Sequence, residues 1–478
     1  MRDGRIVDIT PFAQTLTALY PGAAVIDARD RIVFPGFVNA HFHGESVLLR
    51  YLTRRSPYSA WDALPGMRDA LRRLKDPASA GDVAALYRLA GYLHITGGTT
   101  AVAEYPAGYT PAVLEGAVES LGTSGVRSVF ALQTWEQVEP FRSVPPASRG
   151  YSLSLGPEDA YTVYSLESLI RISAETGFPL AAHLGEVRSV AESLRRRFKK
   201  NPLRVLKDAG ALTPSTHIIH CNHLPDRDLD VISESGNPLT LCVRSALSKQ
   251  TGYPFLRALA SRDVTVCLGT DWGETDLLGE IRVLRNLRRY VPGTPSFTPL
   301  ELMRMATING AHALGIASQT GSLEVGKHAD LVMMPVNDPR LPSLSAAPTA
   351  EEVAALITDY CDTGMISDVM AQGVFRVRRK EPVRADRNDM LRESRRLQGT
   401  LLPGLSPERE GERPVPIPLV AAVKGERPPL LGDGAVGEEP SRREGANLRS
   451  PERMPEESPQ KPPVVTRKIG KVFGEDDI

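Results

Sequence analysis

Between about residue 34 and residue 317 the chain alternates between short apolar runs bounded by glycine or proline and longer amphipathic stretches. The apolar runs fall at 32–38, 99–103, 126–132, 151–155, 179–184, 217–221, 238–243 and 264–269, and clear amphipathic stretches lie at 166–176 and 253–261. Near-continuous apolar strands separated by helical periodicity predict a parallel sheet covered on its outside by helices. The predicted class is therefore α/β. Eight such units fit a closed (β/α)₈ TIM barrel, although a doubly wound open sheet carries the same pattern.

The flanks read differently. Residues 4–9 and 24–27 before the alternation, and 321–334 and 366–377 after it, are short β segments separated by turn residues. They predict one small β-sandwich domain built from both ends, 1–33 and 319–385, around a barrel at 34–318. From Leu401 onward the chain holds 13 of its 39 prolines and a single aromatic, Phe473. Such a composition cannot bury enough apolar surface to offset the entropy of ordering, so 400–478 is expected to be a disordered, charged tail.

Lys+Arg and Asp+Glu both number 57, a balance that argues against nucleic acid or a membrane surface as partner. There is no apolar run long enough to span a bilayer, and Met1-Arg2-Asp3-Gly4-Arg5 does not open a signal peptide. Cys221, Cys242, Cys267 and Cys361 are widely spaced in apolar surroundings and read as buried free thiols, which points to the cytoplasm. The expected partners are a small-molecule substrate and, in a homo-oligomer, further copies of the chain.

Chemistry gathers at the strand ends. The first run closes on Asn39-Ala40-His41-Phe42-His43, whose two imidazoles leave a strand on one face. Alone, such a pair serves equally well as surface histidines or as metal ligands. The fifth run ends at His183 with Glu186 three residues on, the sixth at His220 with His223, and the eighth at Asp271. Five of nine histidines thus fall on the rim where barrel enzymes build their sites. His94, His312, His328 and His217 lie elsewhere in the pattern and read as structural.

With these motifs in place, the chain resembles the metal-dependent amidohydrolase superfamily, in its branch of cytosine, guanine and S-adenosylhomocysteine deaminases and triazine chlorohydrolases. The resemblance runs from about residue 4 to residue 377. It rests on the 35–43 opening, His183-x-x-Glu186, His220-x-x-His223, Gly269-Thr270-Asp271, the segment 306–311 and the segment 321–334. It implies one divalent ion, zinc first and iron second, held by His41, His43, His183 and Asp271 with His220 at or beside it. It further implies hydrolytic deamination of an amino-substituted heterocycle by metal-bound hydroxide. Glu186 would be the general acid/base, His220 would stabilise developing charge, and Asp271 would ligate and help deprotonate the water. A cyclic amide or halogenated ring could be hydrolysed by the same apparatus, and a catalytically silent binding protein would keep only the fold. The fourth run has no lysine for a carboxylated two-metal centre.

The chain departs from these relatives at the substrate rim. Where they carry His-Cys-Pro-x-Ser-Asn, it has Leu241-Cys242-Val243-Arg244-Ser245-Ala246; where they carry a cavity histidine after the fourth strand, it has Glu158. Arg244, Glu158, His223 and Trp272 are the expected substrate contacts. Relatives also begin with a further strand before Asp3, so a missing edge strand or a start placed too far downstream is expected here.

Overall fold

A computed structural model describes residues 1–402, apart from 54–55, 65, 143–150, 157–162, 253–258, 260–261, 292–295 and 346. The chain divides into two compact units, Met1–Arg409 and Glu410–Ile478, and every described residue lies in the first. Glu158, most of the stretch 253–261 and the tail beyond Leu402 lie outside the described residues.

All eight predicted runs carry a parallel strand. β2 (Phe37–Phe42), β3 (Thr99–Glu104), β4 (Arg127–Leu132) and β5 (Tyr151–Leu155) form one four-stranded sheet in that order. β6 (Ala181–Leu184), β7 (His217–His220), β8 (Leu239–Leu241) and β9 (Val266–Leu268) form a second. Single parallel bridges join the sheets at both edges, Leu155 to Leu180 and Phe42 to Asp271. Every residue of β2 and β3 is buried, as expected for strands covered on two faces. Helices such as Ala80–Thr96 and Pro111–Gly122 pack together on the outside. Small inner residues (Val38, Ala101, Ala103, Ala131, Ala181, Ile219) form a separate cluster with Ala311 of the helix Ile308–Ala313.

The first predicted run is two strands, not one. β1 (Arg31–Pro35) pairs antiparallel with β10 (Leu331–Pro335), while β2 pairs with β3. The switch occurs at Gly36, where a Cβ would stand 2.2 Å from Thr100 Oγ1, so only glycine lets the backbone pass. β1 and β10 continue through β11 (Asp368–Ala371), β12 (Val374–Arg378) and β13 (Glu381–Pro382) as one antiparallel sheet. The expected sandwich is thus a single sheet among the described residues. On one face Leu331, Met333, Met370 and Phe375 cluster with Ile6 and Leu323, while Val332, Met334 and Val369 join the main core. Residues 24–27 form no strand, and 4–9 contribute only the antiparallel bridges of Arg5 to Arg2 and to His328. No helix among the described residues is long and apolar enough to cross a membrane.

Candidate metal centre

Two strand ends hold three side chains through unusual backbone. His220 (φ 72°), Cys221 (φ 64°) and Asp271 (φ 53°) are left-handed residues that are not glycine. Such conformations cost on the order of 1–3 kcal/mol each and persist where surrounding structure enforces them. Beside Asp271, a Cβ at Gly269 would stand 2.7 Å from the His41 Cβ, so glycine allows β9 to close on β2. There the amides of Thr270 and Asp271 both donate to the His41 carbonyl at 2.9 Å.

The result is a tight buried cluster. His41 Nε2 lies 3.1 Å from His183 Nε2 and 3.4 Å from Asp271 Oδ1, and His43 Nε2 lies 3.3 Å from the same oxygen. His41, His43 and His183 form one group of convergent donor atoms, and His41, His220 and Asp271 a second. Four ligands at bonds of about 2.0–2.1 Å around a tetrahedral ion stand about 3.3 Å apart, which is the spacing found here. Asp271 Oδ1 and His220 Nε2 are buried with no hydrogen-bond partner, a state that polar atoms rarely keep in water-free protein. The donor set therefore fits a divalent ion such as zinc.

The outer contacts orient these ligands. His43 Nδ1 pairs with the Tyr105 carbonyl at 2.8 Å, directing Nε2 into the cluster. Burial, reinforced by neighbouring imidazoles, holds His183 well below the ordinary histidine range, and burial does the same for His41 despite Asp271. His43 goes the other way. Burial lowers it, but Asp271 and Glu45 together hold it up to about 10. Asp271 is kept well below the usual carboxylate range by Lys249 and the imidazoles, against the upward push of burial.

Glu186 joins the cluster, with Oε2 3.8 Å from His220 Nε2. His43, His183 and Glu186 line a cavity of about 420 Å³ whose wall includes Tyr58, Trp61 and Trp272. Trp272 lines this cavity and is tied by its indole N–H to Thr53 Oγ1 at 3.0 Å. Arg244 and His223 are not brought to this cavity. The Arg244 guanidinium donates to Glu274 at 2.8 Å, lies 3.7 Å from Asp276, and lines an adjoining cavity instead. His223 Nε2 is bonded to the Thr251 carbonyl, which makes it a brace for the loop after the helix Val243–Lys249.

His94 and His217 are buried away from the centre, and burial lowers each to about 3. The sequence reading missed Lys249, whose ammonium bonds Glu186 Oε1 at 2.8 Å and Asp271 Oδ2 at 2.6 Å. It also missed Ser245 as a donor to Asp271 Oδ2 at 2.6 Å. The available signal was a helix that begins directly on the end of the seventh parallel strand and carries both residues.

The chain is similar in sequence and fold to known proteins. A 5-methylthioadenosine/S-adenosylhomocysteine deaminase of Moorella thermoacetica is 27% identical over 361 residues, covering 71% of this chain and 82% of its own. The structure of an adenosine deaminase from Xanthomonas campestris with bound zinc superposes with a TM-score of 0.70 at 21% identity, covering 84% of this chain and 92% of that one. An atrazine chlorohydrolase from Arthrobacter aurescens, also complexed with zinc, gives 0.68 at 19% identity, covering 83% and 94%. Residues 32–375 match the model of the amidohydrolase family, and the chain belongs to that family.

Proposed function

We propose that this amidohydrolase hydrolytically deaminates an amino-substituted heterocycle, using one divalent ion held by His41, His43, His183 and Asp271 with His220 beside them. The observation that carries the reading is the set of imidazole and carboxylate atoms at ligand-to-ligand spacing, with Glu186 against it in one cavity. The deaminase relative in Moorella supports the reaction class, and the zinc-bearing neighbour supports zinc as the metal. The two four-stranded sheets are read as halves of one (β/α)₈ barrel, a reading supported by the bridges at both of their edges. Four buried free cysteines support a reducing, cytoplasmic location.

When bound, the ion supplies a Lewis acid that acidifies a water molecule at neutral pH. The chain does the rest. Glu186 takes a proton from the water and delivers it to the ring nitrogen and then to the departing amine. The new C–O bond forms on the amino-bearing carbon, the C–N bond breaks, and ammonia leaves with the transferred proton. His220, grouped with His41 and Asp271, would stabilise charge developing on the attacking oxygen. Tyr58, Trp61 and Trp272 offer apolar walls suited to a flat ring.

The test is metal analysis together with ammonia release from adenosine, 5-methylthioadenosine, S-adenosylhomocysteine, guanine and cytosine. One equivalent of zinc or iron and release of ammonia from at least one ring are expected. Protein that binds no transition metal, and gains nothing from added zinc or iron, overturns the reading. Halide release from a chlorinated triazine without any deamination would move the chain to the chlorohydrolase reaction.

A further inference from the structure

Lys249 is the feature that neither the motifs nor the proposed reaction uses. It is the last residue of the helix Val243–Lys249 and is only 5% exposed. The buried Glu280 carboxylate accepts the Arg244 amide at 3.1 Å, anchoring the helix at its start. At the helix end the ammonium sits between Asp271 Oδ2 (2.6 Å) and Glu186 Oε1 (2.8 Å). The rings of Tyr58 and Trp61 stand 5.4 Å and 5.6 Å from it and close the other side with π faces.

Asp271 therefore presents two different oxygens. Oδ1 faces His41 and His43 and has no hydrogen-bond partner. Oδ2 accepts from both the Lys249 ammonium and the Ser245 hydroxyl at 2.6 Å. A carboxylate oxygen already carrying two strong donors has its lone pairs occupied and cannot take a further bond. The same ammonium is also a fixed positive charge beside the donor set, where it opposes a second cation.

We infer that Lys249 is a positioning residue that restricts Asp271 to a one-oxygen metal ligand and sets the metal affinity of the centre. It leaves Glu186 as the proton carrier and removes the base role that the family resemblance implies for Asp271. The inference rests on the proposed metal centre, and its test separates the two.

Full-length protein is stripped of metal, and zinc and cobalt(II) affinities are measured by competition with a chromophoric chelator for wild type, Lys249→Met and Lys249→Gln. Removing a like charge within a few ångströms should tighten binding by about tenfold or more. The visible bands of the cobalt(II) form should change as Asp271 Oδ2 is released to coordinate. A purely structural lysine would move neither readout. Unchanged affinity and unchanged cobalt bands in both variants overturn the inference while leaving the metal centre intact. Wild type that binds neither ion overturns the metal reading itself.

The variants also leave Glu186 and Asp271 buried without their cation, which destabilises the metal-free protein. Zinc should therefore raise the unfolding temperature more in Lys249→Met than in wild type. If either variant fails to fold without metal, refolding in the presence of zinc is expected. Failure of zinc to restore the fold overturns the inference.

Discussion

Two pairs of buried carboxylates flank His43, and the chain manages them in opposite ways. Glu186 and Asp271 share the ammonium of Lys249. Glu45 and Glu104, 1% and 0% exposed, have tyrosines and an imidazole around them instead. Glu104 Oε1 accepts from the Gly44 amide at 2.7 Å and the Tyr87 hydroxyl at 2.8 Å, while Tyr109 donates to Glu45 at 3.4 Å. Burial, with the nearby Glu45 charge, pushes Glu104 up to about 8, so at neutral pH it keeps its proton. The Glu186–Asp271 pair is stabilised by a fixed cation, which keeps both carboxylates charged for the roles proposed above. In the supporting pair Glu104 is stabilised by a proton, so it adds no second negative charge beside Glu45.

One isosteric change made at both pairs tests the contrast most severely. Glu186→Gln removes the proton carrier, so ammonia release should fall by about 10³-fold while metal content stays at the wild-type level. Glu104→Gln replaces a protonated acid with a neutral amide of the same shape. Its carbonyl keeps the bonds from Gly44 and Tyr87, and turnover at pH 7 should stay within about threefold of wild type. Comparable losses from both substitutions would erase the distinction between the pairs.

The next effect is on stability. The Glu104 carboxyl moves from an ordinary value of 4.5 in the unfolded chain to about 8 in the fold. Between those values the folded state binds the proton more tightly, so this group's contribution is complete below about pH 4.5 and is lost as pH rises towards 8. A decline on the order of a few kcal/mol across that window is expected from this residue. Glu104→Gln should flatten it. Chemical denaturation at pH 5 and pH 8.5, in wild type and variant, reads the difference directly, and equal slopes in both would refute the assignment.

How far the sequence could be read follows the same divide between local and long-range causes. The eight parallel strands and the rim on which His41, His183, His220 and Asp271 stand were legible, because burial of both sheet faces leaves an apolar run in the chain itself. Lys249 was not, because its partners lie 63 and 22 residues away and the place of its helix after the seventh parallel strand does not reveal them. The ion pairs of Arg244 were hidden for the matching reason. Glu274 and Asp276 in the following loop already bind its guanidinium, which the local segment 241–246 cannot reveal. The break at Gly36 depends on Thr100, another residue distant in sequence, so 32–38 read as a single strand.

The smallest expected effect comes from Tyr87→Phe, and its pH dependence sharpens the comparison further. The Tyr87 hydroxyl is buried and donates to Glu104 Oε1. While Glu104 is protonated this is a bond between neutral groups, so at pH 5.5 its loss should cost about 0.5–1.5 kcal/mol. Above about pH 8 the carboxyl is ionised, and the same hydroxyl then supports a buried charge. There the cost should rise to about 1.5–3 kcal/mol. The direction follows from the bond favouring the charged form: without it Glu104 holds its proton to still higher pH. No corresponding growth is expected for Ser245→Ala, because Asp271 is kept well below the usual carboxylate range by Lys249 and remains charged throughout. A cost for Tyr87→Phe that stays constant from pH 5.5 to 9, measured by urea unfolding, would mean that Glu104 carries no proton in the native state. The two pairs would then be managed alike.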